Sequence, residues 1–408
     1  MLPPPWLRSP SQALVFALGS LGLAATLTCA ALLRGGAAAP RGAPPSIPAP
    51  EDIVAVVEAR SGAASRAATG LAAGDVRARV ALARRWIASA RRSGDPRQLG
   101  RAQAALAPWW DRAELPDEVR LLRATIAQSL HHFADARRDL DALAPRRPND
   151  VQLHLTRAAV AAVTADYPAA RQSCEALAAS APPLYVAACK APVELVSGRA
   201  DAAYQELAAL DATNEDEGPQ VRAWSATLLG ELAASLGDLA GAERHLRRAL
   251  AAEPSVYTKA ALADLWLSSR RPAEVVSLLA DAAEADGLLL RLAIAERRLG
   301  LGSAAAHAAQ LRERFAATVA RGDRTHRREQ GLFELDVEGR ADVALAHLVE
   351  NWALQKEPID ALLLLRAAAA AGAPAAAAPV RAWIRATGIR DRAIEDAERA
   401  LAATGGRS

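Results

Sequence analysis

The chain has 408 residues, of which 51% are hydrophobic and only 4% aromatic, and its formal net charge is +3. This length exceeds the usual size of one compact core, so we expect either several domains or one extended repeat array. The small net charge gives no general case for a nucleic-acid partner, which needs a concentrated basic face. Alternating β-branched and aromatic residues are almost absent, which predicts an all-α fold with essentially no sheet.

The amino-terminal region contains one long apolar segment. A tail, residues 1–12, precedes an uncharged run that extends from Ala13 to Leu33. As a helix this run would be about 31 Å long, which matches the hydrocarbon core of a bilayer. It predicts a single-pass anchor in a bacterial inner membrane, with the following domain in the periplasm. A cleaved signal peptide and a soluble periplasmic protein are the alternative, because small residues around Cys29 and Gly36 suit a signal peptidase.

Two further segments separate the apolar run from the repeats. Residues 34–50 are rich in proline and small side chains, and they predict a flexible, disordered linker. Residues 51–115 are predicted to form an amino-terminal helical region. Within it, the stretch 60–101 contains ten arginines and only two acids. This stretch suits anionic lipid headgroups and gives an alternative function, peripheral binding to a membrane surface. The compositional bias of a GC-rich genome is the competing explanation.

Small residues and prolines recur in residues 116–400, and three blocks align without gaps at a period of 34 residues. In the clearest block, Gly230 lies in a first helix, Gly237 lies in the turn, and Ala242, Leu246 and Ala249 follow in a second helix. Alanine at a helix crossing permits close approach, and leucine one turn later fills the groove. The other two blocks place Ala136, Leu140, Leu143 and Pro148, and then Ala170, Cys174, Leu177 and Pro182, at the same positions.

This spacing closely resembles the tetratricopeptide repeat (TPR) consensus, with Ala233 in place of the usual tyrosine. The resemblance implies a superhelix of paired helices, an α-solenoid. Residues 325–358 also resemble the carboxy-terminal repeat of bacterial TPR proteins that carry an amino-terminal apolar segment, a likeness that implies no particular activity. Imperfect units cover 198–210, 262–283, 288–315 and 339–358, and a tail is predicted for 401–408.

Motifs for chemistry are missing from the sequence. The seven histidines do not form a helical pair with an acid at metal-ligand spacing, and no glycine-rich phosphate loop or nucleophile elbow occurs. We therefore expect no catalytic residues, metal, cofactor or small-molecule substrate. An enzyme with a dispersed active site that includes Glu329 and Asp336 is a further alternative, since acids seven residues apart can share a helix face.

The concave groove lined by the first helices is the predicted binding surface, because it repeats polar side chains along one face. Its candidate protein-binding residues are His326, Arg327, Glu329 and Gln330. Cys174 and Cys189 belong to neighbouring repeats and are predicted to form either a disulfide, in an oxidising compartment, or two buried thiols. The predicted function is a protein–protein interaction scaffold or adaptor, tethered to the inner membrane or exported across it, with unidentified protein or peptide partners.

Overall fold

The computed structural model describes residues 75–214, 216–281, 284–320 and 326–405, which are helical throughout and contain no strand. This confirms the prediction of an all-α, TPR-like repeat for that part of the chain. The predicted anchor, the linker and the first part of the amino-terminal helical region lie outside the described residues. None of the described helices combines the length and the apolar character that a transmembrane helix needs.

Nineteen α-helices follow one another along the described residues, joined by short turns. Three short 3₁₀ segments, Ala107–Trp109, Leu177–Ala179 and Pro374–Ala377, and one π-helical turn, Glu334–Glu338, lie between or at the ends of them. In chain order the helices are α1 Val76–Ser93, α2 Arg97–Ala105, α3 Asp117–Ser129, α4 Phe133–Leu143, α5 Val151–Val163, α6 Tyr167–Ala176, α7 Pro183–Val196, α8 Ala200–Ala212, α9 Pro219–Leu236, α10 Leu239–Ala252, α11 Val256–Ser268, α12 Pro272–Leu279, α13 Asp286–Leu299, α14 Ala304–Ala320, α15 Arg327–Phe333, α16 Ala341–Leu354, α17 Pro358–Ala370, α18 Ala378–Thr387 and α19 Arg392–Gly405.

Successive helices pack in pairs, α1 with α2, α3 with α4 and so on to α15 with α16, and α17 then packs on α16 and α19. Each pair also contacts the next, so that every apolar stripe is covered by its neighbours. The main hydrophobic core runs from Leu155 to Leu401 without interruption, and smaller cores lie in the first pairs. The described chain is therefore a solenoid of helical hairpins.

The predicted repeat register is confirmed at the helix crossings. Ala242 and Ala249 of α10 are fully buried, and Leu246 between them is 2% exposed. Leu246 packs so closely on α9 that a Cβ added to Gly230 would lie 2.8 Å from its Cγ. The same arrangement recurs between α15 and α16, where a Cβ on Gly331 would meet the side chain of a leucine. The other aligned positions, Ala136, Leu140, Leu143, Ala170, Cys174 and Leu177, are all buried as well.

One residue in each turn between paired helices adopts the left-handed backbone conformation. Glycine tolerates this conformation without steric cost, and it is the usual residue after a helix. In three turns of the described chain the residue is not glycine but His131, Ala165 or Arg270, each with φ near +60°. The turns that do use glycine contain Gly94, Gly198, Gly237, Gly300, Gly339, Gly372 and Gly388.

The superhelix coils so tightly that its early and late turns meet edge to edge. We call this line of contact the seam. At the amino-terminal end of the seam, the turn between α1 and α2 packs on the starts of α11 and α13. The contact is close: a Cβ added to Gly94 would lie 3.1 Å from Ala285 Cβ and 3.3 Å from Val256 Cγ1. Hydrogen bonds continue the seam: Lys356 N donates to Val163 O at 2.9 Å, Trp383 Nε1 donates to Tyr167 Oη at 2.7 Å, and Ser235 Oγ donates to Arg390 O at 3.3 Å.

Two glycines approach each other closely across the seam. Gly198, in the turn between α7 and α8, has φ +72°, and a Cβ there would lie 2.3 Å from the carbonyl oxygen of Gly388. Real Cβ atoms do not come this close to backbone, so only glycine fits. Gly300 has almost the same backbone conformation, φ +68°, but open space where its Cβ would be.

Replacing Gly198 by alanine should therefore weaken the seam. Both Gly198→Ala and Gly300→Ala incur the cost of a positive φ, about 1–2 kcal/mol. Only Gly198→Ala adds a clash with backbone, so we expect its free energy of unfolding to fall by about 1–3 kcal/mol more than that of Gly300→Ala. Urea denaturation followed by circular dichroism measures both values. Equal losses in the two variants would show that the two edges do not meet in solution.

Candidate functional site

The predicted protein-binding residues lie at the start of α15, and the first of them, His326, lies on the seam. His326, Glu329 and Gln330 are 5%, 6% and 4% exposed, and Arg327 is half-buried. The His326 ring lies 6.0 Å from the ring of His131, between centroids, in the turn between α3 and α4. Three of the four side chains therefore face this chain. That they bind a partner stays a prediction, since no contact described here tests it.

Contacts within the chain also occupy the fourth residue. Arg327 Nη1 donates to Gln330 Oε1 at 2.8 Å and lies 3.2 Å from His347 Nδ1 on α16. Burial and the charge of Arg327 together lower the pKa of His347. Burial also raises the pKa of Glu329, while the charges of Arg328 and His326 oppose this rise.

The sequence reasoning missed Arg328, which lies among these residues and organises a buried ionic network. Arg328 Nε donates to Asp360 Oδ1 at 2.6 Å, Nη2 donates to Asp360 Oδ2 at 2.8 Å, and Nη2 also pairs with Glu357. Asn351 Nδ2 donates to the same Asp360 Oδ1 at 2.7 Å. Burial acts to lower the pKa of Arg328, but Asp360 and Glu357 outweigh it and raise that pKa.

A helix-capping pattern in the sequence could have revealed half of this network. Glu357 is the N-cap of α17, Pro358 is its first residue, and Asp360 completes a capping box with the Glu357 backbone N–H. Proline at the first helical position, followed by an acid at the third position that accepts from the N-cap N–H, is a recognisable helix start. The arginine that pairs with them comes from α15, about thirty residues earlier, and no local pattern points to it.

Replacing Arg328 by leucine should destabilise the fold strongly, because Asp360 and Glu357 would remain buried without a cation. We expect the free energy of unfolding to fall by about 3–5 kcal/mol. The control is Arg399→Leu, which removes an exposed pair with Asp396 and should cost no more than about 1 kcal/mol. Chemical denaturation compares them, and a small, equal loss in both would contradict a structural role for the network.

The coiled hairpins line a half-open cavity of about 170 Å³. Its walls are formed by the first helices of successive pairs, α5, α7 and α9, together with the start of α11 and the end of α1. Most of the lining is apolar, and Trp224 on α9 is its largest side chain. The Trp224 ring also packs edge-on against the buried ring of Tyr185, with centroids 6.2 Å apart. The apolar lining includes Leu155, Ala158, Ala188, Pro192, Ala223 and Leu228.

A disulfide is built into one wall of the cavity. Cys189 of α7 lines the cavity and is bonded to Cys174 of α6, with a Cα–Cα distance of 5.5 Å. The bond joins the pairs α5–α6 and α7–α8 and closes a loop of sequence separation 15. In the chain-entropy model such a loop contributes about 3 kcal/mol to stability. Of the two alternatives drawn from the sequence, a bridge or buried thiols, the structure has the bridge.

Two carboxyl groups face the cavity. Burial raises the pKa of Glu231 to about 7, and the nearby charge of Glu357 adds to this, while a hydrogen bond that Tyr257 Oη donates to Glu231 opposes it. Glu253 also lines the cavity, and its Oε2 is buried and receives no hydrogen bond from the described residues. An unsatisfied buried acceptor is unfavourable. The cavity therefore offers an acceptor that a bound donor could satisfy.

Two guanidinium groups belong to another wall. Arg91 and Arg92, in the last turn of α1, both line the cavity, and the nitrogens of Arg91 are buried. Burial lowers the pKa of Arg91 to about 9, so it stays charged at neutral pH. The cavity thus combines apolar walls with one acid on α9, one acid just after α10, and bases from α1.

Glu329 and Asp336, the acids proposed for a dispersed active site, both lie beside arginines of this chain. Asp336 Oδ1 accepts from Arg366 Nη2 at 2.6 Å, and Glu329 is buried beside Arg328. Among the residues placed by the structure, no group of three or more His, Cys, Asp or Glu side chains could hold a metal ion. These contacts do not test the catalytic alternative.

The ionisation of Glu231 should make stability depend on pH. Its pKa is about 7 in the folded chain and about 4.5 ordinarily, so the folded state binds more protons and the free energy of unfolding falls as pH rises through this window. We expect this fall, between pH 4.5 and 8, to be about 1–3 kcal/mol larger in the wild type than in Glu231→Gln. Denaturation at several pH values measures it, and parallel curves would refute the assignment.

Comparison with known proteins identifies no family for this chain. No family model matches this chain, and no curated protein matches it. One similar solved structure is "Crystal structure of APC/C hetero-tetramer Cut9-Hcn1", with 13% identity over 87% of this chain and 83% of that chain, at a TM-score of 0.30. A TM-score this low carries no argument. The paired helices and their repeated packing residues are what define the described chain as a TPR-like α-helical repeat protein.

Proposed function

We propose that this chain is a protein–protein interaction scaffold whose superhelix binds an extended segment of a partner protein. The observation that carries the proposal is the cavity, whose walls are the first helices of three successive hairpins and which combines apolar surface with the unsatisfied Glu253. Repeat proteins bind through inner surfaces of this kind, because each repeat contributes a similar strip of side chains.

The size of the cavity favours a peptide over a small molecule. Pockets that enclose whole small-molecule ligands are typically about 300–1,000 Å³. At about 170 Å³ this cavity accommodates one or two side chains. The remainder of a peptide would then lie along the wall, where Gln220 and Ser255 provide polar groups.

We further propose that the scaffold is tethered to or exported across a bacterial inner membrane. The apolar segment 13–33 supports this, and so does the disulfide Cys174–Cys189, since such bonds persist in oxidising compartments. In this arrangement the hairpins lie in the periplasm and recruit a partner close to the membrane. Cleavage after the apolar segment would give a soluble periplasmic scaffold instead.

Binding to a membrane surface is a second candidate function, favoured by the exposed face of α1. Arg77, Arg85 and Arg92 are exposed there. Trp86 is half-buried on the same helix, and the guanidinium of Arg101 lies 4.9 Å from the centre of its ring. Arginines around a tryptophan suit an interface with anionic headgroups.

In-cell crosslinking tests the scaffold proposal. A photo-reactive amino acid at Gln220, which lines the cavity, should crosslink a discrete protein partner, because a bound segment would lie within reach. The same amino acid at Ala316, exposed on the second helix α14, is the control and should give no such product. Immunoblotting and mass spectrometry identify the products. If no product forms at Gln220 and the chain binds anionic liposomes in a salt-sensitive way, membrane-surface binding would be favoured over the scaffold function.

A further inference from the structure

We propose that the cavity receives one phenylalanine side chain from the partner's extended segment. This inference rests on the proposed function and names the residue by which the partner is held. Four properties of the cavity support it: the small residues that create the space, its volume, the aromatic ring in its wall and the balance of charges in its lining.

Alanines on four helices leave the space that forms the cavity. Ala88 lies on α1, Ala158 and Ala162 lie on α5, Ala188 lies on α7, and Ala223 lies on α9. Larger side chains at these positions would fill the gap, since protein interiors are close-packed. Atoms that line a gap lose dispersion contacts, and an inserted apolar group restores them. The wall of the solenoid is therefore completed by an apolar group that the chain itself does not supply.

The volume of the cavity suits a phenyl ring. An apolar cavity of about 150 Å³, engineered into another protein, stays dry and binds benzene. The cavity in this chain has a similar volume, about 170 Å³, and a mostly apolar lining that includes Leu155, Pro192 and Leu228. Because the cavity is half-open, the backbone that carries the ring can remain outside, along the wall.

Trp224 on α9 provides an aromatic neighbour for that ring. It lines the cavity and is half-buried, and its ring packs edge-on against Tyr185, with centroids 6.2 Å apart. Tyr185 is fully buried, so this contact holds the Trp224 ring in place. Aromatic pairs in offset or edge-to-face arrangements add to the free energy of apolar burial. A phenyl ring is therefore favoured over an aliphatic side chain.

The charges in the lining favour a neutral occupant. Glu231 and Glu253 contribute two acids, and Arg91 and Arg92 contribute two bases. A lysine of the partner would be repelled by the bases, and a glutamate would be repelled by the acids. Removal of either charge from water is also costly. A phenylalanine side chain avoids both penalties.

Fluorescence anisotropy with the full-length, disulfide-bonded chain in nanodiscs of zwitterionic lipid tests the inference. The probes are labelled, blocked peptides, Ser-Ala-Ser-X-Ser-Ala-Ser, in which X is phenylalanine, leucine, alanine, lysine or glutamate, and empty nanodiscs are the blank. We expect the phenylalanine peptide to bind at least about 10-fold more tightly than the alanine peptide, because its ring leaves water. The leucine peptide should be intermediate. The lysine and glutamate peptides should bind no more tightly than the alanine peptide.

Variants that fill the cavity assign the effect to it. Ala223→Phe and Ala162→Phe each place a ring in the cavity, from two different helices and at positions that are only partly buried. Each should lower affinity for the phenylalanine peptide about 10-fold. Ala316→Phe, the same substitution at an exposed position on α14, should leave that affinity unchanged. The comparison among peptides uses the wild-type chain, so it stands even if a variant does not fold.

Four results would overturn the inference: equal binding of the phenylalanine and alanine peptides, tightest binding of any of the other peptides, no binding of any peptide, or equal losses in Ala223→Phe and Ala316→Phe. A crosslinked partner at Gln220 combined with any of these results would leave the scaffold function standing and remove only the phenylalanine. Absence of both a crosslink and peptide binding would remove the scaffold function as well.

Discussion

The close approach of Gly198 to Gly388 is the constraint on which the whole arrangement depends. Hairpins that stack with a small rotation generate an open superhelix, and here the coil is so tight that the turns of early pairs contact late pairs directly. A side chain at position 198 would push the two edges apart. A side chain at position 388 would not, because the space around a Cβ on Gly388 is open.

Contact between edges buries polar backbone groups, which then need hydrogen-bond partners. The edges of a helical solenoid consist of helix ends and turns, which carry backbone groups without helical partners. Burying them requires hydrogen bonds across the seam, such as that from Lys356 N to Val163 O, and capping within it, as at Asp360. Buried charges of this kind contribute little net stability compared with apolar packing, but removal of one partner is costly. The pairing of Arg328 with Asp360 therefore fixes how α15 packs against α17.

The sequence predicted what repeats locally and missed what closes the coil. The positions of Gly230, Ala242 and Leu246 follow from the packing of one hairpin, and a period of 34 residues is enough to find them. The seam joins residues far apart in the chain, and no periodicity links Trp383 to Tyr167. Arg328 and Asp360 lie about one repeat apart, but the repeat consensus does not include this pair. Turn glycines marked most hairpins. Ala165 and Arg270 carry the same backbone conformation without that signal.

The candidate site shows the same division. The groove lined by the first helices was the predicted binding surface, and the first helices α5, α7 and α9 line the cavity. Of the four residues chosen from the sequence, His326 contacts an early turn across the seam, and Arg327 pairs with Gln330 and His347 within its own hairpin. Which polar residues face the interior depends on how tightly the solenoid winds, a property that no single repeat encodes. Cys174 and Cys189 were predicted as neighbours, bonded or as two thiols, because stacking of adjacent repeats alone brings them together, and the structure has the bond.

The hydrogen bond between Trp383 and Tyr167 spans 216 positions of the chain. Each hairpin, by contrast, closes over a few tens of residues, and contacts at short sequence separation form fastest. Folding would accordingly run in two stages, in which a loose string of hairpins assembles early and its ends join late, after the larger loss of chain entropy. A newly synthesised chain would pass through this open intermediate, in which its polar edges are exposed to solvent. Domain swapping between two chains could occur at this stage.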